Sequence, residues 1–156
     1  MKNSNRILVI DDNEHVRDIV KSIVKKADKK SEKMDSIKKS LFDKEEEKQD
    51  VPIEFRIDEA SQGTEAIEMA KQAFNEGDPY FLVISDVRMP PGIDGIETIT
   101  GIRKIDPDIA IIIISAYNDY SDEQLVSKFG AERLLFLVKP FHAKDIVKFI
   151  LSIKEN

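Results

Sequence analysis

The chain predicts an α/β fold built on a doubly wound parallel sheet, and three features of the sequence carry that expectation. Short apolar runs alternate with segments whose apolar residues recur at threes and fours, the pattern of strands joined by helices that cover both faces of one sheet. Most of the runs are continuously apolar, as strands buried on both faces are. Four of them also stop at a residue with chemistry. Arg6-Ile7-Leu8-Val9-Ile10 ends at Asp11-Asp12, the run opening at Phe81 ends at Asp86, Ile111 to Ile114 ends at Ser115, and Leu134 to Val138 ends at Lys139. In a parallel sheet the C-terminal strand ends converge, so these groups meet in one crevice.

Strands are expected near 6–10, 54–60, 81–85, 109–114 and 134–138. The second differs from the rest, because Glu54-Phe55-Arg56-Ile57-Asp58 alternates polar and apolar residues, which suits a half-exposed strand at an edge. Helices are expected near 14–27, 64–76, 94–105, 121–130 and 143–154, the first with Val16, Ile19, Val20, Ile23 and Val24 along one stripe. Turn residues punctuate them: Gly63, Gly77-Asp78-Pro79, Asp106-Pro107 and Lys139-Pro140. Residues 28–52 do not fit. They are far longer than the about 2–6 residues usual between a helix and the next strand, and so read as an insertion. Met34, Ile37 and Leu41 recur there at helical spacing, with Phe42 beside Leu41, which suggests an extra amphipathic helix around 34–47 or a lengthened first helix. Its apolar stripe either packs on its own domain or docks a partner.

At 156 residues the chain is one domain's length, enough to bury roughly 70% of its unfolded surface, and a single domain spanning 1–156 is expected. Thirty acidic against 24 basic residues give a formal charge of -6, which disfavours direct binding to nucleic acid or to an anionic membrane. There is no cysteine, so disulfides and thiolate metal sites are excluded and a reducing compartment fits. The first apolar stretch is too short for a secretory signal and runs into acids. No stretch approaches the roughly 18 apolar residues of a membrane span, and a cytoplasmic protein is expected.

Clustered, Asp11, Asp12 and Asp86 would repel one another unless some protonate or a cation neutralises them. A divalent ion is the economical answer, and hard oxygen ligands without cysteine select Mg2+ or a similar ion such as Mn2+. Such a site invites phosphoryl transfer, with a carboxylate as nucleophile and with the metal and Lys139 neutralising the phosphoryl oxygens. Ser115 and loop amides after Asp86 could donate hydrogen bonds. Singly, each piece has a plainer reading: Asp11-Asp12 as a helix cap, Asp86 as a turn residue, Ser115 as a loop hydroxyl, Lys139 as a solvated charge. Four strand ends in the order acid pair, acid, hydroxyl, Lys-Pro favour function.

The blocks LVIDDN, VISDVRMPPGIDGIE, IIISAY and FLVKPF resemble the signatures of the receiver domain of two-component response regulators, over nearly the whole chain apart from 28–52. The resemblance implies a flavodoxin-like (βα)5 fold with strand order 2-1-3-4-5. It implies that Asp86 is the phosphoacceptor, that Asp12 and Asp86 ligate the metal directly and Asp11 mainly through water, and that the carbonyl of Arg88 completes the protein ligands. Ser115 would be the switch hydroxyl, Lys139 the phosphate-contacting cation and Phe136 the switch aromatic, which on its own residues reads as one more apolar strand position. The peptide bond before Pro140 would be cis. The resemblance also implies that Arg88 and Ala116 occupy positions that tune phosphoryl lifetime. Two departures stand out: the insertion, and a loop Met89 to Gly95 one residue longer than the common Met-Pro-Gly-x-Asp-Gly form. Both are similar to receivers at the N-terminus of larger signalling proteins such as hybrid sensor kinases.

The implied partners are a sensor histidine kinase or phosphotransfer protein upstream and an output domain or protein downstream, with the fourth helix, fifth strand and fifth helix as the switching face of a monomer or weak dimer. His15 and His142 read as solvated or capping residues, and Tyr117 and Tyr120 either join the switch or cap the fourth helix. A dehalogenase-type phosphatase would need Asp-x-Asp after the first strand, where Asp11-Asp12-Asn13 stands. A flavodoxin would need a hydroxyl-rich phosphate loop there. Enzymatic turnover on an external substrate is therefore not expected, and a receiver used as a phosphorylation-independent interaction module remains the serious rival.

Overall fold

The computed structural model describes residues 4–27, 54–87, 92, 94–116 and 121–155. Five parallel strands, β1 (Arg6–Ile10), β2 (Arg56–Ala60), β3 (Leu82–Asp86), β4 (Ala110–Ser115) and β5 (Leu134–Val138), form one sheet in the order β2-β1-β3-β4-β5. This is the flavodoxin-like order expected from the sequence. The helices are α1 (14–27, to the end of the described stretch), α2 (Gly63–Asn75), α3 (Gly95–Ile105), α4 (Asp122–Phe129) and α5 (Ala143–Glu155). The proposed helix around 34–47 lies outside the described residues.

Side-chain alternation along the strands divides the core into two layers. Leu8 and Ile10 of β1, with Val83, Ile111 and Ile113, face α2, α3 and the Leu125 and Phe129 side of α4. Ile7 and Val9, with Leu82, Ile84, Ile112 and Ile114, face α1 and α5, which contribute Val20, Ile23, Val24, Ile146, Val147 and Ile150. Residues so fully enclosed explain why β1, β3 and β4 are continuously apolar. The edge strands are less enclosed: β2 keeps only Ala60 buried, and β5 only Leu137.

Register sets the level of the strand ends. Ile10 pairs with Ser85, Asp86 with Ile114, and Ser115 with Val138. Asp11 therefore follows β1 level with Asp86, while Ser115 and Lys139 lie one and two residues further along, at about 3.3 Å per residue.

The opposite end of the sheet carries a different set of charges. The Arg6 guanidinium meets the Asp58 carboxylate at 2.7 Å and lies 4.5 Å from the centre of the Tyr80 ring, whose hydroxyl donates to the same Asp58 oxygen at 2.6 Å. Arg56 donates to Asp78 at 2.9 Å, and Arg6 donates to the Asp78 carbonyl at 2.8 Å. Lys154 of α5 sits 4.1 Å from the Phe81 ring centre and donates to the Ser4 carbonyl.

Candidate functional site

At the C-terminal strand ends, Asp11, Asp12 and Asp86 each offer a carboxylate oxygen, and these oxygens lie within 4.8 Å of one another. Asp11 is buried, Asp12 exposed and Asp86 half-buried, so the cluster opens to solvent on one side. Three local contacts hold the acid pair. The Asp11 amide donates to the Ala60 carbonyl at 3.1 Å, the Asn13 amide donates to Asp11 Oδ1 at 2.9 Å, and Arg17 of α1 donates to the Asp11 carbonyl at 2.7 Å. Arg17 also pairs with Glu59 of β2 at 3.2 Å, so α1 and the sheet edge together set where the pair leaves β1.

Lys139 supplies the cation, its Nζ standing 3.4 Å from Asp86 Oδ2. Its amide donates to the Ser115 carbonyl at 2.7 Å, which ties the end of β5 to the end of β4. The Lys139-Pro140 peptide is cis, as the resemblance implied. Ser115 is buried at the end of β4. Phe136 pairs with Ile113 and packs half-buried against the core layer that holds Leu125 and Phe129 of α4.

The electrostatics follow from this crowding. Burial pushes the Asp11 carboxyl up to about 7. The Asn13 amide opposes the shift, the Asp86 charge and the contact with Asp12 add to it, and the Lys139 charge opposes it. Three carboxylates converge here, and the Lys139 ammonium stands against one of them. Their oxygen-only chemistry and spacing fit a hard divalent cation such as Mg2+, which takes one or two carboxylates and keeps water on its open side. The cluster is compatible with Mg2+ on that ground.

The structure thus brings Asp11, Asp12, Asp86 and Lys139 together, with Ser115 at the next strand end. Arg88, Tyr117 and Tyr120 lie outside the described residues, as does most of the loop from Met89 to Ile93. His15 and His142 are exposed. The His15 amide donates to Asn13 Oδ1 at 2.8 Å, and the His142 carbonyl accepts from the Asp145 amide at 3.0 Å, so both belong to helix starts. Sequence reasoning missed the cap of α4, where the Ser121 hydroxyl accepts from the Gln124 amide and the Gln124 side chain accepts from the Ser121 amide. The Ser-x-x-Gln spacing was its signal. It also missed the close seating of Gly95 against Asp86, which has no local signature.

The sequence pattern of the response regulator receiver domain matches residues 52–151. The chain is 33% identical over 97 residues to the chemotaxis protein CheY of Thermotoga maritima, covering 62% of this chain and 74% of that protein. It is 33% identical over 105 residues to the sensor kinase CckA of Brucella abortus, covering 65% of this chain but 10% of the kinase. The chain spans no more than 20% of that kinase or of two transcriptional regulatory proteins it also matches. A CheY-like receiver domain structure from Methanospirillum hungatei superposes with a TM-score of 0.66 at 17% identity, covering 98% of this chain and 95% of the other, a likeness of fold. No helix among the described residues is long and apolar enough to cross a membrane. On the matched pattern and the CheY relative together, the chain belongs to the response regulator receiver domain family.

Proposed function

We propose that Asp86 accepts a phosphoryl group from a phosphohistidine of a sensor histidine kinase or phosphotransfer protein, and that the resulting aspartyl phosphate switches the face formed by α4, β5 and α5. The observation that carries this reading is that carboxylate oxygens of Asp11, Asp12 and Asp86 lie within 4.8 Å of one another while the Lys139 Nζ stands 3.4 Å from Asp86 Oδ2.

An Asp86 carboxylate oxygen attacks phosphorus in line with the departing imidazole nitrogen. The P–O bond forms as the P–N bond breaks, and the imidazole keeps the electron pair and takes up a proton from solvent. Lys139 moves from the carboxylate to the phosphoryl oxygens, whose charge it offsets through the transition state. Asp11, Asp12 and Asp86, with the Arg88 carbonyl, would hold Mg2+ or Mn2+, which supplies charge neutralisation for the equatorial oxygens. The Ser115 hydroxyl donates to the phosphoryl group, the loop after it moves inward, and Phe136 follows. Phosphorylation thereby biases a two-state equilibrium. The half-buried apolar side chains of edge strand β5 support this face as the output surface.

In this reading 1–156 is one receiver domain with an insertion at 28–52. It is a cytoplasmic phosphoacceptor rather than an enzyme acting on an external substrate, and it promotes its own phosphorylation and dephosphorylation. The small share of the kinase relative that the chain spans supports a place within, or beside, a larger signalling protein. Acetyl phosphate with Mg2+ tests the proposal by intact mass. The expected result is one added phosphoryl group on the native chain and none on Asp86→Asn. A native chain that stays unmodified while beryllofluoride and Mg2+ leave its NMR spectrum unchanged would instead make it a phosphorylation-independent interaction module.

A further inference from the structure

The Asp86 side chain faces the pocket, but its main chain is gripped from behind. The Val87 amide donates to the Ile114 carbonyl of β4 at 3.0 Å, and the Val87 carbonyl accepts from the Gly95 amide at 2.7 Å. The hydroxyl of Ser85, itself fully buried, donates to the Asp86 carbonyl at 2.9 Å. Against that same carbonyl lies the first residue of α3. A Cβ on Gly95 would stand 2.0 Å from the Asp86 oxygen and 2.9 Å from both its carbonyl carbon and the Val87 Cα.

We infer that Gly95, with Ser85, is a positioning residue for phosphoryl transfer: α3 seats on the Asp86 carbonyl through the one residue that has no side chain, and this seat sets where the Asp86 carboxylate stands. The inference rests on Asp86 being the phosphoacceptor. Glycine is needed here for space and not for conformation, since Gly95 is helical and its φ is not among the positive ones. A side-chain carbon does not approach closer than 3.0 Å, so any other residue displaces either the helix or the Asp86 peptide by about 1 Å. The obstacle is backbone held by hydrogen bonds on both sides, and it cannot rotate away. A displacement of that size costs on the order of 10²-fold in a reaction that depends on in-line geometry, and Mg2+ tolerates little distortion of its octahedron.

The same helix contains its own control. A Cβ on Gly101 would meet only Ile67 Cδ1, at 2.7 Å, with Cγ1 at 3.2 Å, and this flexible side-chain end can turn aside. The test measures acetyl phosphate uptake and Mg2+ affinity on the full chain for the native protein and for Gly95→Ala, Ser85→Ala and Gly101→Ala, each below its own unfolding transition. Gly95→Ala is expected to react about 10²-fold more slowly and to bind Mg2+ more weakly while folded. Ser85→Ala, which adds no bulk but releases the carbonyl, is expected to slow the reaction severalfold, and Gly101→Ala to match the native chain. A role confined to stability would lower the unfolding midpoint and leave rate and Mg2+ affinity untouched in folded protein, and that result for Gly95→Ala overturns the inference. Should Gly95→Ala fail to fold, Ser85→Ala decides, and a native rate and affinity there overturn it equally. If the native chain takes up no phosphoryl group, the proposed function fails by itself, and the Mg2+ affinities still decide the positioning role.

Discussion

At the N-terminal edge of the sheet Arg6 and Arg56 interleave with Asp58 and Asp78, whereas at the C-terminal edge Asp11, Asp12 and Asp86 face Lys139. Aspartates at the two ends respond in opposite directions. Burial would raise the Asp58 carboxyl, but hydrogen bonds from Tyr80 and Arg6 outweigh it and hold the group below its ordinary value. The Asp78 carboxyl is likewise lowered, first by its hydrogen bond from Arg56. Asp11 is raised to about 7, because burial there is reinforced by Asp86 and Asp12 and only partly opposed by the Asn13 amide and the Lys139 charge. What separates the ends is compensation. Charges matched one for one fasten strands together, while charges left in excess create a demand that only a proton or a cation from outside can meet.

Removing the cation at the crowded end should have the largest effect. Lys139→Met takes the ammonium from beside Asp86, and phosphoryl uptake from acetyl phosphate is expected to fall at least about 10²-fold. A native rate in that variant would reduce Lys139 to a structural counter-ion. At the matched end the damage should go to stability instead. Arg6→Ala strips the partner from Asp58 and the cation from the Tyr80 ring. Because the Asp58 side chain is 39% exposed, the cost should sit below the range for a fully buried pair, at about 2 kcal/mol by urea unfolding. Phosphoryl uptake per folded molecule should be unchanged, and a parallel loss would mean that the two ends are coupled through β1.

This division was half visible in the sequence. The crowded end was legible because each of its groups directly follows an apolar run, so finding the strands finds the site: Asp11-Asp12 after Ile10, Asp86 at the end of β3, Lys139 after Val138. The matched end was not, because its partners lie far apart in the chain. Arg6 reaches Asp58 and Tyr80 across 52 and 74 positions, and no local pattern announces such pairs. Strand limits fell within a residue of the expected ones except at β2, which opens at Arg56 rather than 54. Phe55 there is buried by packing on the Phe81 ring, 5.7 Å away, so the alternation that marked Glu54 and Phe55 as strand reports burial without ladder pairing. The seat of Gly95 on Asp86 depends on how α3 returns over the end of β3, which one sequence does not reveal.

Acidity sharpens the comparison with a smaller effect. Asp11 has to be a carboxylate to hold a divalent ion, and in the ion-free protein it carries a proton below about pH 7. Below that value each pH unit should therefore weaken Mg2+ binding by about tenfold, with little change above it. The sign for folding stability is the reverse. A carboxyl raised in the folded state favours folding while it is protonated, and that contribution is lost as pH rises through 7 unless Mg2+ replaces the proton. Asp58 and Asp78 are lowered, so their contribution is complete above the ordinary carboxylate value and is lost only on stronger acidification. Between pH 5 and 8 the matched end should therefore stay constant while the crowded end titrates. Calorimetric Mg2+ titrations across that window should show the slope in the native chain and in Arg6→Ala alike. They should show a flattened slope in Asp11→Asn, and an unchanged slope there would mean that a different group exchanges its proton for the ion.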